Sequence, residues 1–312
     1  MNNRSLITGG AGFIGSHLAE ELFDAGDEVI ILDNFLNGNK IPKRLMNKIK
    51  IIEGDIRDIR VVREASLGCN KIYHFAAFLG VDLVAENHVE TMVVESLGTQ
   101  NIVKVANENQ VEKIIYASTS GVYGKTAIEK SVKENFIVDP RTSYSIAKRY
   151  NEIYLQANWL ENQLESICIR YFNVYGERQD TRMVIPRFVN QAIHDKPITI
   201  YGNGKQTRDF TYVKDVAKAT RLLSEKVDGF EIFNMCGKNE FSIYELAKKI
   251  KYLTKSNSEL KVINMPGSRY DFEVERRSGN SEKLFHSINF LPNTTLDEGL
   301  KRSIKYSTVC ND

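Results

Sequence analysis

The sequence predicts an α/β protein with a doubly wound parallel sheet and a smaller C-terminal domain. Short, continuously apolar segments alternate with amphipathic helical segments through the first half of the chain. A glycine-rich loop joins the first segment of each kind. Continuously apolar strands indicate a sheet covered on both faces, and their alternation with helices indicates that its strands run parallel.

Six segments have the apolar character and length of strands, and three longer ones have helical periodicity. The predicted strands are Ser5–Thr8, Glu28–Leu32, Ile49–Glu53, Lys71–Phe75, Lys113–Ser118 and Glu165–Tyr171; the predicted helices are Ile14–Ala25, His88–Asn107 and Ser143–Leu160.

The pattern becomes irregular after Gly176, with turn sequences and two helical stretches at Val213–Ser224 and Ser242–Tyr252. We therefore expect the doubly wound domain over residues 1–175 and mainly a substrate-binding domain over residues 176–312. Segments near Ile198–Tyr201 and Glu231–Asn234 are expected to return to the sheet.

Composition and charge exclude several classes of protein. The 312 residues carry a formal net charge of +2 with both signs interspersed, so we expect no nucleic-acid partner and no membrane partner. Cys69, Cys168, Cys236 and Cys310 form no C-x-x-C motif, which argues against a zinc site and a disulfide framework. A strand predicted by about Arg4 leaves no room for a signal peptide, and no apolar run approaches transmembrane length. We expect a cytoplasmic protein with reduced thiols and no metal site.

The glycine-rich loop has the spacing of a dinucleotide-binding fingerprint. Gly10-x-Gly12-x-x-Gly15 follows a predicted strand and opens a predicted helix, where free amides favour a pyrophosphate. Asp33 ends the next strand about twenty residues later, where a carboxylate binds a ribose and repels a 2′-phosphate. A plain strand–helix turn and a helix-capping Asp33 are the alternatives. The two features in this order favour NAD.

Tyr144 and Lys148 lie four residues apart, on one face of the third predicted helix. The pKa of a phenol is ~10 and must fall by roughly 3 units, worth ~4 kcal/mol, before the phenol can act as a base near neutral pH. An ammonium and a cationic nicotinamide are the charges that would lower it. A surface helix can carry the same spacing by chance, but the fingerprint upstream favours an acid–base pair.

With these motifs the chain resembles the extended short-chain dehydrogenases/reductases of the nucleotide-sugar epimerase/dehydratase family, which have a Rossmann fold and the spacing of Gly9, Gly12 and Gly15. The resemblance runs nearly end to end. Glu95 departs from it, because the family usually has Asn three residues before the pair seen here as Gly98-Thr99. The segments that resemble the family's ribose-binding turn, adenine contact and nicotinamide-ribose strand are Asp33-Asn34-Phe35-Leu36-Asn37, Gly54-Asp55-Ile56-Arg57-Asp58 and His74-Phe75-Ala76-Ala77.

The resemblance implies an NAD site whose residues lie in both halves of the doubly wound domain. They are Gly9, Gly12, Phe13, Ile14, Gly15, Asp33, Asn34, Asn37, Asp55, Ile56, Phe75, Ala76, Ala77, Tyr144, Lys148 and Tyr171.

The resemblance also implies the catalytic residues. Thr119 matches the family's Ser/Thr, which shares a hydrogen bond with the substrate hydroxyl. NAD⁺ removes hydride from C4 of a sugar while Tyr144 takes the O4 proton and Lys148 binds the nicotinamide ribose. Ser120 is a candidate substrate contact, and turn capping is the alternative for Ser118 and Ser120.

The fate of the 4-keto intermediate distinguishes the family's enzymes. Dehydratases generally have an Asp-Glu pair where this chain has Ser120-Gly121, and decarboxylases typically have Glu at the second of these positions. Without either group the ketose rotates and is reduced on its other face, so the resemblance favours 4-epimerisation of a UDP-hexose or UDP-hexuronate. The alternatives are a UDP-glucuronate decarboxylase, a dehydratase or reductase, and a non-catalytic NAD-binding regulator.

The substrate side is also assigned by resemblance. Asn173 would contact the substrate phosphate, and Arg208 and Arg277 would clamp a diphosphate. Asn280 would bind the nucleotide ribose at a position where the family has an acid. Arg187 would lie beside the base, for which uridine is expected first.

Two long helices carry more apolar residues than one sheet face needs, and relatives pair such helices into a four-helix interface. We therefore expect a homodimer. The residues concerned are Val89, Met92, Val93, Leu97, Tyr150, Ile153, Tyr154 and Ala157.

Overall fold

A computed structural model describes residues 3–78, 84, 86–125, 131–238, 240–264 and 274–309. Cys310 and the predicted turn at Pro266-Gly267 lie outside the described residues.

The described residues contain a seven-stranded sheet in which every neighbouring pair is parallel. Its strands are β1 (Arg4–Thr8), β2 (Glu28–Asp33), β3 (Lys50–Glu53), β4 (Lys71–His74), β5 (Lys113–Thr119), β6 (Glu165–Tyr171) and β10 (Phe230–Met235). They lie in the order β10-β6-β5-β4-β1-β2-β3, which confirms the doubly wound fold predicted from the alternating pattern.

Helices cover both faces of this sheet, and two apolar clusters lie between the sheet and the helices. In β1, Ile7 pairs in register with Ile31 on one side and Tyr73 on the other, and all three side chains are buried. The helices are α1 (Phe13–Asp24), α2 (Lys43–Met46), α3 (Ile59–Ala65), α4 (His88–Glu108), α5 (Ser143–Asn162), α6 (Val184–Ile193), α7 (Val213–Lys226), α8 (Ile243–Thr254), α9 (Glu282–Ile288) and α10 (Leu296–Val309).

The C-terminal half contributes smaller sheets beside the main one. Their strands are β7 (Asn173–Tyr175), β8 (Ile198–Tyr201), β9 (Thr207–Tyr212), β11 (Glu240–Ser242), β12 (Leu260–Ile263) and β13 (Arg276–Arg277). Strand β9 pairs with β7, β11 and β13, and β8 pairs with β12.

Of the two segments expected to return to the main sheet, one does so. Glu231–Asn234 lies within β10, which pairs with β6. Ile198–Tyr201 instead pairs with β12; the prediction for this segment was wrong. Ile198 and Ile200 are buried on one face while Thr199 and Tyr201 are not, so the strand covers a core on one side only and does not need a two-sided sheet.

Helix α5 is fixed at its start by a capping box. Thr142 Oγ1 accepts a hydrogen bond from the Ser145 backbone N–H at 3.0 Å, and the Ser145 side chain returns to the Thr142 backbone. Two backbone N–H groups at the helix start, which have no partner within the helix, are thereby hydrogen-bonded. The cap places Tyr144 in the first turn of α5, with Lys148 one turn further along the same face.

A buried charge network fixes α5 against the sheet. Glu152 of α5 accepts two hydrogen bonds from the Arg170 guanidinium of β6, each 2.8 Å long. Its Oε1 also accepts from Ser118 of β5 at 2.6 Å. Burial favours the neutral acid, but the hydrogen bonds from Arg170 and Ser118 and the Arg170 charge hold the pKa of Glu152 below its usual range.

Glu152→Gln should lower the free energy of unfolding by about 3 kcal/mol, because it leaves a buried guanidinium without a counter-charge. Glu108→Gln is the control: it breaks the exposed pair with Arg63 on α3 and should cost less than about 1 kcal/mol. Urea unfolding of both variants and the parent checks this. Equal losses in the two variants would contradict it.

Candidate active site

A cleft of about 800 Å³ runs along the carboxyl ends of the main sheet and is closed on its far side by residues of the C-terminal half. Ligands bind at this edge in doubly wound folds. Every predicted cofactor residue and every predicted catalytic residue lines the cleft, as do Ser120, Asn173, Arg187, Arg208 and Arg277.

The first strand–helix turn is shaped by the absence of side chains. Gly9 has φ +70°, and a Cβ there would lie 2.6 Å from the backbone nitrogen of Ala76. A Cβ on Gly15 would lie 2.3 Å from the Gly9 carbonyl oxygen. Within the described chain, no side chain caps α1 and its first turn has no acidic residue. The amides at this helix end therefore face the cleft and fit a pyrophosphate.

Asp33 lies at the end of β2 and is half-buried. One carboxylate oxygen accepts from the Ala11 N–H at 2.9 Å, and the other accepts from the Phe35 N–H at 2.8 Å. Burial raises the pKa of Asp33, and these backbone bonds oppose the shift. Two backbone amides thus hold the carboxylate at the cleft wall, where its remaining lone pairs fit the two hydroxyls of a ribose.

Asp55 and Ile56 lie beyond Asp33, at the end of the cleft expected to hold adenine. The Arg57 guanidinium binds Asp55 through two bonds of 3.0 and 2.7 Å, and its hydrogen bond holds the pKa of the Asp55 carboxyl below its usual value. Arg57 also contacts Glu90 of α4 at 2.6 Å. These contacts tie α4 to the turn that carries Asp55.

His74 is a buried structural residue that precedes Phe75 of the cleft lining. Its Nδ1 lies 2.8 Å from Thr8 Oγ1, and its Nε2 lies 3.0 Å from Thr99 Oγ1. Thr99 donates its hydroxyl proton to the Glu95 carbonyl, so Nε2 carries the hydrogen and Nδ1 accepts from Thr8. Burial, aided by the Lys148 charge, lowers the pKa of His74 to about 3. A neutral ring therefore joins β1, β4 and α4.

Thr119 ends β5 and begins a 3₁₀ turn at Ser120–Tyr123. Its Oγ1 accepts a hydrogen bond from the Gly121 N–H at 3.1 Å, which leaves the hydroxyl proton for another acceptor. Thr119 and the half-buried Tyr144 line the same cleft. Burial, followed by the nearby Glu95 carboxylate, raises the pKa of Tyr144 above its usual value.

Lys148 is fully buried beneath Tyr144. Its Nζ lies 3.0 Å from Glu95 Oε2, 4.7 Å from the centre of the Tyr116 ring and 5.4 Å from that of Tyr144. Among the described residues, no hydrogen bond with ordinary geometry reaches Nζ or either Glu95 carboxylate oxygen. The ammonium is thus held by charge, and its N–H groups fit the hydroxyls of a nicotinamide ribose.

Tyr171 contributes an aromatic wall. Its ring centre lies 5.8 Å from that of Phe75, and its hydroxyl lies 2.8 Å from Thr220 Oγ1 of α7. The hydroxyl is therefore engaged behind the wall, while the ring faces the cleft.

The register of β9 and β13 places two arginines together. Arg277 pairs with Arg208 across the two parallel strands, and both line the cleft. Arg276 has its side chain on the opposite face of β13, where its guanidinium binds Glu240. Arg187 lies over the Tyr201 ring at 4.5 Å, at the end of the cleft expected to hold the base.

Asn280 does not line the cleft. Its side-chain oxygen accepts from the Glu282 N–H at 2.8 Å, and its backbone N–H donates to the Val132 carbonyl. Asn280 thus orients the start of α9, and its predicted ribose contact stays a prediction.

Sequence reasoning missed the pairing of Glu95 with Lys148, although Glu95 stood out as a departure from the family. The side chains lie on different helices, 53 positions apart, and no local spacing relates them.

Sequence reasoning also missed Asp209, whose pKa is raised by burial to about 7. Asp209 accepts from the Gly279 N–H at 2.8 Å, and its other oxygen lies 3.4 Å from Asn173 Nδ2.

In the described part of the chain, no group of three His, Cys, Asp or Glu side chains could hold a metal ion. None of the helices described above has both the length and the apolar character needed to cross a bilayer.

Comparisons with known proteins agree with this geometry. The model of the NAD dependent epimerase/dehydratase family matches residues 5–236. A UDP-N-acetyl-alpha-D-glucosaminuronate decarboxylase of Bacillus cytotoxicus is 39% identical, with 98% of each chain covered. A putative UDP-glucose 4-epimerase of Methanocaldococcus jannaschii is 34% identical, with 96% of this chain and 97% of the relative covered.

Among solved structures, the UDP-glucose 4-epimerase of Thermotoga maritima with UDP-glucose superposes with a TM-score of 0.93 at 29% identity, and each chain is covered fully. The similar proteins thus include nucleotide-sugar epimerases, dehydratases and decarboxylases, and the cofactor is NAD. Fold, cleft and family model together identify the chain as a member of the NAD-dependent epimerase/dehydratase family.

Proposed function

We propose that this chain catalyses the NAD-dependent 4-epimerisation of a UDP-hexose or UDP-hexuronate through a 4-keto intermediate. The observation that carries the proposal is the meeting of Thr119, Tyr144 and Lys148 in one cleft with the glycine turn. A diphosphate at Arg208 and Arg277 would leave the sugar between these arginines and Tyr144.

Each catalytic side chain has a role that follows from its contacts. Tyr144 takes the proton from O4 of the sugar, and Thr119 donates its hydroxyl hydrogen to that oxygen. Lys148 binds the nicotinamide ribose and stabilises the Tyr144 phenolate. Bound NAD⁺ supplies the hydride acceptor at C4. Tyr144 then returns the proton when the ketone has turned its other face.

Gly121 supports epimerisation over elimination. A Cβ at this position would lie 3.3 Å from Thr119 Oγ1 and 3.4 Å from the Ser145 Cβ, so any side chain here would stand beside the reacting groups. Gly121 presents no acid or base to remove water or to assist loss of a carboxylate.

Decarboxylation of a UDP-hexuronate is a second candidate, favoured by the 39% identity to the Bacillus cytotoxicus decarboxylase. A 4-keto hexuronate is a β-keto acid: the C5–C6 bond breaks, carbon dioxide leaves, and the electron pair enters the C4 ketone as an enolate. The enolate takes a proton at C5, and the C4 ketone then takes back the hydride. The ketone itself is the electron acceptor, so this route does not require a carboxylate at position 121.

Product analysis separates the two candidates. NMR of reactions with UDP-glucose, UDP-N-acetylglucosamine, UDP-glucuronate and UDP-N-acetylglucosaminuronate should show C4 epimers with carbon number retained. Release of carbon dioxide with a UDP-pentose product would establish decarboxylation instead. A stable 4-keto-6-deoxy product would contradict both, and no turnover of any of these sugars would leave the regulator alternative.

Tyr144→Phe should reduce turnover by ~100-fold or more, the usual effect of a positioned proton-transfer group, while NAD affinity stays nearly unchanged. Lys148→Ala should weaken both, since it removes a ribose contact and the cation beside the phenol. Thr119→Ala should fall between the two in turnover. NAD titration and steady-state rates give both readouts. Near-parental turnover in Tyr144→Phe would overturn the mechanism.

We further propose that the chain forms a homodimer through α4 and α5. Side chains on these two helices leave an apolar surface open to solvent, with Val89 78%, Leu97 41% and Ile153 50% exposed. Gln100 of α4 bonds the Tyr150 hydroxyl of α5 at 3.0 Å, so the two helices present this surface together.

Leu97→Glu combined with Ile153→Glu should convert the dimer to a monomer, because two buried carboxylates would face an apolar partner surface. Tyr252→Glu, on the 81% exposed Tyr252 of α8, is the control and should remain dimeric. Light scattering measures both. A monomeric parent protein at working concentrations would refute the proposal.

A further inference from the structure

Helix α4 places a carboxylate against the catalytic ammonium. Glu95 Oε2 lies 3.0 Å from Lys148 Nζ, and their side chains are 0% and 1% exposed. The ammonium beneath Tyr144 therefore has a buried acidic side chain as its immediate neighbour.

The backbone of Glu95 is fixed by hydrogen bonds from two neighbouring side chains. Its carbonyl accepts from the Thr99 hydroxyl at 2.7 Å and from the Asn151 amide at 3.1 Å. The same Asn151 amide donates to the Tyr116 hydroxyl at 2.8 Å. Helices α4 and α5 are thus joined at the level of Glu95, and the Glu95 backbone is held beside α5.

Lys148 is the group of opposite charge that faces Glu95. From the neighbouring elements, His74 of β4, Tyr116 of β5 and Cys168 of β6 also border the pair. Burial lowers the pKa of His74 to about 3 and raises those of Tyr116 and Cys168 well above their usual values. These three groups are therefore neutral near pH 7. Of the titratable groups described here, Glu95 and Lys148 are the charged ones that act on Tyr144 at close range.

Two opposite charges at 3.0 Å act on Tyr144 largely as a dipole. An isolated ammonium beneath a phenol favours the phenolate, whereas a paired carboxylate opposes that field. Burial raises the pKa of Glu95, and the Lys148 charge 3.0 Å away opposes the shift by favouring the carboxylate. Lys148 with a neutral neighbour would stabilise the Tyr144 phenolate more strongly than it does here.

We propose that Glu95 is a positioning residue that anchors the Lys148 ammonium and, by opposing its field, keeps Tyr144 protonated until a cationic nicotinamide lies beside the phenol. The role of Tyr144 as the base rests on the proposed function. The Tyr144 base then forms only after the cofactor binds. Glu95 opposes the field of Lys148, and the cationic nicotinamide of NAD⁺ restores a positive field at the phenol. A cleft without NAD⁺ holds a neutral phenol.

Glu95→Gln keeps the size and removes the charge. The phenolate of Tyr144 is followed by ultraviolet difference titration of the full chain, with and without NAD⁺ and without substrate. Since the chain has 14 tyrosines, the spectrum of the same protein carrying Tyr144→Phe is subtracted in each background. In the parent, NAD⁺ should move the Tyr144 midpoint to lower pH. In Glu95→Gln without NAD⁺ the midpoint should already lie about one pH unit lower, a tenfold change in acidity.

Two further variants serve as controls. Glu95→Asp keeps the charge and should restore a midpoint close to the parent's. Glu108→Gln removes a charge from the same helix about 20 Å away and should leave the midpoint unchanged. If Glu95→Gln does not fold, Glu95→Asn, which also removes the charge and keeps an amide, replaces it.

A midpoint in Glu95→Gln that coincides with the parent's, or one that moves to higher pH, would overturn the inference and leave Glu95 as a structural counter-charge. The titration contains no sugar nucleotide, so its result stands whether or not the epimerase proposal does. The pH dependence of kcat on the identified substrate gives an independent readout, and its acid limb should move in the same direction.

Discussion

The bidentate contact between Glu152 and Arg170 is the interaction on which the placement of α5, the helix of Tyr144 and Lys148, depends. It joins α5 to β6, and Ser118 extends it to β5, one residue before Thr119. Thr119 therefore sits next to an anchor of the same helix that carries Tyr144 and Lys148. A shift of α5 would break a buried charge pair, which costs more than any single apolar contact.

Helix α5 contributes one member to each of two buried ion pairs. Glu152 faces Arg170 away from the cleft, and Glu95 faces Lys148 at the cleft wall. The first pair is closed by hydrogen bonds on every side, as buried charges require. The second lacks hydrogen bonds of ordinary geometry in the described structure. The Lys148 ammonium therefore retains N–H donors for a ligand in the cleft, whereas the fully hydrogen-bonded pair of Glu152 and Arg170 stabilises the fold.

Much of the fold and of the lining of the candidate site could be predicted from the sequence, because both depend on local patterns. The glycine turn, Asp33 and the Tyr144–Lys148 spacing each lie within one strand–helix unit, and the parallel direction of the strands follows from their alternation with helices. Ile198–Tyr201 could not be assigned to its sheet, since a short apolar strand does not specify its neighbour. The contact of Glu95 with Lys148 could not be predicted from the sequence either, because it depends on how α4 packs against α5.

The groups that determine the fate of a 4-keto intermediate are fewer than the groups that form the cleft. Oxidation at C4 is common to epimerisation, elimination and decarboxylation, so the turn, the phenol and the ammonium do not discriminate among them. Discrimination has to come from groups near C5 and C6 of the sugar and from the substrate itself. Gly121 leaves the position beside Thr119 without an acid or a base. Under the proposed function, a 4-keto intermediate without a C6 carboxylate is left with return of the hydride, whereas a hexuronate can also lose its carboxylate as carbon dioxide. The substrate that binds would then set whether decarboxylation competes with epimerisation.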